Sequence, residues 1–418
     1  MAGEFEQVYA KLAAWCRERD YSGHDPFDAL NSRLFQATPL ARSRLARLAW
    51  TQALKRSPVN LRALALVPPG KNPKGLALFA LALLSRYRTR GGEEDLLEAR
   101  ALLDELVAAR VETPGGGAAW GYNFDWQGRA FYAPRGTPAV VPTAFAVRAL
   151  AEAAGTLAGA ERATYSEAAR RACAFVLNDL NRSVESDEEV CFSYTPLDRT
   201  RVYNASLLAA ESLAEVGALT HERGLSEAAA RAARYVVRRQ RPEGFWTYGA
   251  EGFQSWADNF HTAFVLTSLA RVRRRLAADV DDKFAELIEE ADAALRRGFE
   301  FWRESFFLPD GWPKYYPDKK YPADAHSAAA AVVACAELRR EFGDAATELA
   351  RRVAAWAVRE LFDGRGFFRY QKRRFHTEGT PFMRWSQGWM AYALARLAEV
   401  EAGDDGSVGA LTARASDG

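Results

Sequence analysis

Long apolar runs are missing from this chain: nowhere do eighteen apolar residues follow one another, which argues against a membrane-spanning helix. The start, Met1-Ala2-Gly3-Glu4-Phe5, lacks a basic segment followed by an apolar stretch, so no secretory leader is read and a cytoplasmic protein is expected. Cysteine is scarce. The four present (Cys16, Cys173, Cys191, Cys335) lie far apart without CxxC spacing, which suggests neither a zinc knuckle nor a disulfide framework. Only five histidines occur, with no HExxH-like spacing, so neither metal nor cofactor is expected. An excess of one charge is missing too: 56 basic and 54 acidic residues leave a net +2, which gives no sign of a nucleic-acid partner. What the chain does have is 49% hydrophobic and 26% charged residues over 418 positions, enough for a large core.

One apolar helix recurs with a shared ending. Its copies are Thr143 to Glu152, Ser206 to Glu215, Thr262 to Arg271, Ala328 to Glu337 and Met390 to Glu399, with a weaker first copy at Gly75 to Leu84. The penultimate apolar positions, Leu83, Leu150, Leu213, Leu269, Cys335 and Leu397, are separated by 67, 63, 56, 66 and 62 residues. Helices that are apolar almost all round and rich in alanine must be buried on both sides, so these six form an inner ring. More charged amphipathic segments near 40–57, 94–110, 160–181, 225–240, 281–303 and 343–361 are the outer helices. Six outer and six inner helices in alternation predict an all-α (α/α)6 toroid of helical hairpins, since open solenoids have shorter repeats of about 34 to 47 residues.

The extra length of each repeat is a loop containing spaced aromatics: Trp120-Gly-Tyr122, Phe192-Ser-Tyr194, Trp246-Thr-Tyr248, Trp312 to Tyr315 and Phe368-Arg-Tyr370. These predict short strands or hairpins on one rim. Residues 1–40 are expected to be a helical cap, 41–401 the toroid, and 402–418, rich in Gly and Asp, a disordered tail.

Because each long loop leads into the N-terminus of an inner helix, a pocket is expected where those six ends converge. His261 and His326, at matching repeat positions, are the expected proton-transfer pair, and His376 lies in a similar segment. Asp125, set among Trp120, Tyr122 and other aromatics, is a candidate general acid, while Tyr203 and Tyr248 are candidate proton-transferring phenols. Aromatics stack on sugar faces and polar groups bind hydroxyls, so Trp120, Tyr122, Asn204, Asp258, Asn259, Asp324, Tyr370, Trp385 and Gln387 are candidate saccharide contacts. Arg129 and Arg199 are among the loop cations that hint at an anionic saccharide.

These motifs resemble the six-hairpin toroid superfamily of carbohydrate-active enzymes over residues 40–400. Asp258-Asn-Phe-His-Thr262 resembles the Asn-His segment of toroid polysaccharide lyases, which implies that Asn259 neutralises a uronate carboxylate and that His261 or a tyrosine removes the C5 proton. Trp385-Ser-Gln-Gly-Trp-Met390 is similar to a segment of glucuronyl C5-epimerases, and the His261–His326 pair resembles that of sugar 2-epimerases. Gln240 to Trp246 resembles the Gln-Trp repeat of triterpene cyclases. The resemblance implies a lyase or epimerase acting by proton transfer. Two alternatives remain: a glycoside hydrolase using Asp125 with Asp258 or Asp324, and a glycan-binding scaffold without turnover.

Overall fold

The computed structural model describes residues 2–278 and 282–415. Its helices are α1 (Ala2–Arg17), α2 (Arg33–Gln36), α3 (Arg44–Arg56), α4 (Pro73–Arg90), α5 (Glu93–Ala108), α6 (Val140–Thr156), α7 (Gly159–Asn178), α8 (Tyr203–Thr220), α9 (Arg223–Val237), α10 (Asn259–Ala277), α11 (Ala285–Phe306), α12 (Ala325–Phe342), α13 (Asp344–Leu361) and α14 (Trp389–Ala415). The six repeat copies lie within α4, α6, α8, α10, α12 and α14. Each of these packs on the next, and α14 closes on α4. Helices α5, α7, α9, α11 and α13 lie outside, each against the inner helix before it. The fold is the (α/α)6 toroid.

The sixth outer place differs from the expectation. Residues 40–57 were expected there, with 1–40 as a cap; instead α1 packs on α14 and sinks Phe5, Val8, Tyr9, Leu12 and Cys16 into the main core. The reason lies in spacing. Those five residues form one apolar stripe along α1, whereas α3 buries only Thr51 and Leu54 and lies at the mouth against the hairpin of Trp126–Gln127. Helix α14 continues to Ala415, through most of the segment expected as a disordered tail, and residues 416–418 lie outside the described residues.

Short antiparallel pairs decorate the rim: Val111–Glu112 with Ala118–Ala119, Trp126–Gln127 with Tyr132–Ala133, Arg182–Glu185 with Val190–Phe192, and Phe362–Asp363 with Phe367–Phe368. A fifth, Gln371–Lys372 with Thr377–Glu378, also pairs with Ala323–Asp324 at the start of α12. The Trp246 and Trp312 loops form only isolated bridges. Side-chain caps start three inner helices: Asn72, Asp258 and Asp324 accept from the backbone N–H of Lys74, His261 and Ser327.

The end of the ring away from these caps is filled by ion pairs. Arg148 and Glu211, both buried, make two bonds of 2.7 Å. Arg271 lies 3.1–3.2 Å from Glu211, Glu215 and Glu337 and 3.6 Å from Glu152. Arg88 joins Glu152 to Glu399. Burial alone would raise the carboxyl of Glu337, but Arg271, Arg396 and Arg274 outweigh it and hold it down at about 2.

Candidate active site at the mouth of the ring

Nine residues before the anchors Leu83, Leu150, Leu213, Leu269 and Cys335 stand Lys74, Val141, Asn204, Phe260 and His326. All five line one cavity of about 1140 Å³. The repeat register therefore builds its floor, and the rim loops build its walls.

His261 stands one residue after that register. Its Nδ1 is 2.8 Å from Asp258 Oδ2, and the same aspartate accepts from the His261 backbone N–H at 2.9 Å. A carboxylate on Nδ1 holds the proton there in the neutral ring and leaves Nε2 as the acceptor. His261 lines the cavity, with its ring 4.7 Å from Tyr248 and 4.0 Å from Phe260. His326 is buried, and neither ring nitrogen has a hydrogen-bond partner among the described residues. Its ring meets Phe260 at 4.5 Å, Trp385 at 4.1 Å and Trp389 at 4.9 Å. Burial first, then the charges of Lys74, Arg384 and His261, push its pKa well below the usual histidine value. It is neutral at neutral pH.

The cavity is cationic. Lys74 is buried with its ammonium 4.0 Å from the centre of the Phe145 ring and 5.0 Å from that of Phe264, and no carboxylate pairs with it among the described residues. Burial, reinforced by Arg384 and Arg148, lowers its pKa well below the lysine norm. Lys55, on α3, is pushed down to about 8 by burial, against the pull of Asp324 and Asp25. Arg384 is held by Asp25 at 2.6 Å and lies over Tyr122 and Trp385. Arg129 and Lys319 complete the set, while Asp318 is the one carboxylate in the lining among the described residues.

Of the other residues picked from sequence, Tyr122, Arg129, Asn204, Tyr248 and Trp385 also line the cavity. The Tyr122 hydroxyl meets that of Tyr194 at 2.9 Å, Asn204 Oδ1 is buried without a partner, and Tyr248 stacks on Trp256 at 4.5 Å. Burial, with help from Asp258, raises the Tyr248 phenol well above its usual range, so it stays protonated at neutral pH.

The rest lie elsewhere. Asp125 spends one oxygen on the Tyr132 hydroxyl and the other on the Arg135 N–H, both at 2.7 Å, bracing its own hairpin. Trp120 donates to Leu106 O inside the core, Arg199 is exposed outside the lining, and His376 sits on a hairpin tip. Tyr203 and Tyr370 are buried in packing contacts with Tyr235 and Phe382. Asp258 and Asp324 act as helix caps, Asn259 bridges Lys314 O and Trp302 Nε1, and Gln387 bonds the backbone of Phe368.

Sequence reasoning missed Lys55, Lys74, Tyr315 and Tyr316 as cavity residues. A usable signal existed for Lys74, which shares the register position of His326. None existed for Lys55, because α3 was assigned to the outer ring.

No family profile matches the chain, and no curated protein matches it in sequence. Solved structures match its fold. A cellobiose 2-epimerase from Bacillus thermoamylovorans aligns with 13% identity and a TM-score of 0.56, covering 79% of this chain and 88% of its own. A glycosyl hydrolase of family 88 from Bacteroides vulgatus aligns with 11% identity and a TM-score of 0.56 over 82% and 97%. An unsaturated glucuronyl hydrolase specific for heparin aligns with 14% identity and a TM-score of 0.54 over 80% and 88%. At such identities the likeness is one of fold.

Proposed function

We propose that this protein is a carbohydrate-active enzyme that moves a proton at a carbon of an acidic saccharide, as an epimerase or a lyase. The observation that carries the reading is the Asp258–His261 pair, whose Nε2 is left as a base in the same cavity as the unpartnered, neutral His326. Lys74, Lys55 and Arg129 supply the charge that would bind a sugar carboxylate and acidify the proton next to it. Aromatics such as Trp126, Trp256 and Trp385 give the ring faces on which a pyranose stacks. Tyr248, kept protonated, suits donation to a departing or rearranging oxygen. The names of the fold's solved relatives include sugar epimerases and hydrolases alike, so the choice rests on the site. Paired-carboxylate hydrolysis fits poorly because the two oxygens of Asp125 are taken and Asp258 and Asp324 cap helices.

The test is incubation with uronate-containing oligosaccharides in heavy water, read by NMR and mass spectrometry. Epimerisation places deuterium at the inverted carbon; elimination leaves a carbon–carbon double bond. His261→Ala is expected to lower turnover about 10²- to 10⁴-fold, and Asp125→Asn to leave it nearly intact. If His261→Ala and His326→Ala both keep activity while Asp125→Asn abolishes it, the hydrolase reading replaces this one.

A further inference from the structure

Between Asp28 and Glu93 the chain carries no acidic residue, whereas positions 33–71 carry eight lysines and arginines in a protein of net charge +2. Arg33, Arg42, Arg44 and Arg56 are exposed, and among the described residues no carboxylate pairs with them. The same stretch displays Leu34, Leu40, Leu45, Val59, Leu64 and Leu66, each more than half exposed. Over the rest of the described residues only five large apolar side chains are exposed, so the patch is a local concentration rather than ordinary surface.

The lobe has its own small core of Ala29, Leu54, Ala65 and Val67, with Trp50 packed against it and stacked on Phe35 at 5.3 Å. Its leucines point outward despite that. Leu66 does so from a left-handed backbone with φ +52°, a conformation that costs a branched side chain free energy and is kept only where the surroundings impose it. The Arg33 N–H donates to Leu66 O at 3.2 Å, which joins the two ends of the patch. The lobe also borders the mouth, since Gln52 and Lys55 of α3 line the cavity.

We propose that residues 33–66 dock the mouth of the ring on an anionic phospholipid surface. Exposed arginines without a carboxylate partner, interleaved with exposed leucines, match a headgroup layer over acyl chains. A nucleic acid would use the arginines and leave the leucines in water. A second copy of the lobe would set like charges face to face. Docking does not depend on the proposed reaction; if both hold, the cavity opens where a lipid-linked anionic saccharide is presented.

The experiment is flotation of the full chain with phosphatidylcholine vesicles, with and without phosphatidylglycerol, across a salt series. Binding is expected only to the anionic vesicles and to weaken as salt rises. Arg42→Gln and Arg44→Gln should each lower the partition coefficient about fivefold, and the triple variant Leu40→Asp, Leu45→Asp, Leu64→Asp should abolish binding. Circular dichroism should show parental Tm for all of them, and the arginine variants carry the test if the triple variant melts early. Failure to bind anionic vesicles overturns the proposal, as does vesicle binding that the leucine variants leave unchanged. A dimer dissolved by the leucine variants, with no vesicle binding, assigns the patch to a second copy instead.

Discussion

The two ends of the inner ring are built by the same repeat and treated in opposite ways. Two residues after the anchors stand Ser85, Glu152, Glu215, Arg271, Glu337 and Glu399, the shared ending of the repeat. There Arg271 replaces the glutamate and becomes the hub that touches Glu152, Glu215 and Glu337, while Ser85 donates to Glu399 at 2.5 Å. Eleven residues earlier, about 16 Å along each helix, the register holds Asn204 and His326, each with a buried polar group that no described neighbour satisfies, and Lys74, whose ammonium faces aromatic rings rather than a carboxylate. Leaving such groups unpaired costs free energy. The proposed saccharide site therefore lies at the end where polar groups lack partners, opposite the end where charge is paired.

The ion-paired end should break hardest. Arg271→Met removes the cation that Glu211, Glu215 and Glu337 share and leaves them to Arg148, Arg275 and Arg274, with an expected loss of about 3 kcal/mol and a fall in Tm of about 3 °C for a chain of this size, measured by calorimetry. An unchanged Tm would mean that water reaches the plug and the two ends are less different than their packing implies.

At the mouth the sign reverses for stability. Lys74→Met keeps length and removes an ammonium that burial penalises, so the folded state should gain about 1–2 kcal/mol. Affinity for an anionic saccharide should drop tenfold or more, read by isothermal titration. Loss of stability together with unchanged binding would place Lys74 among the structural cations, alongside Arg148 and Arg271.

The ring itself was legible because its six inner helices are apolar all round and repeat at a nearly constant interval, a signal that survives without any knowledge of contacts. His261, His326, Asn204 and Trp385 were legible as cavity residues for the same reason, since the repeat phase fixes which residues open each inner helix, and Tyr122 and Tyr248 were legible as aromatics of the loops that precede those helices. Asp125 was misleading because a carboxylate among aromatics looks the same in sequence whether its oxygens face a substrate or a neighbouring backbone N–H; hydrogen bonding inside a hairpin is invisible before the turn is built. The α1 and α3 exchange was hidden for another reason. Both are amphipathic, and only closure of the ring decides which one packs on α14, a contact between positions at opposite ends of the chain.

The smallest expected effect tests whether His326 is as sealed as its neighbours suggest. Its folded pKa lies well below the unfolded value of about 6.5. Above that value both states are neutral and the histidine adds no pH dependence. Below it the unfolded chain binds the proton and the folded chain does not, so stability is lost as pH falls, by about 1.4 kcal/mol per unit. Glu378 complicates the raw profile. Burial, against Arg373 and Arg62, raises its carboxyl to about 7, so its own contribution runs the other way, with stability falling as pH rises from 4.5 towards 7. The informative quantity is therefore the difference between the parent and His326→Phe, in which the Glu378 term cancels. As pH falls below about 6.5 the parent should lose stability relative to the variant. Parallel denaturation midpoints below about pH 6.5 would mean that His326 takes up its proton in the folded state despite its burial against Phe260, Trp385 and Trp389.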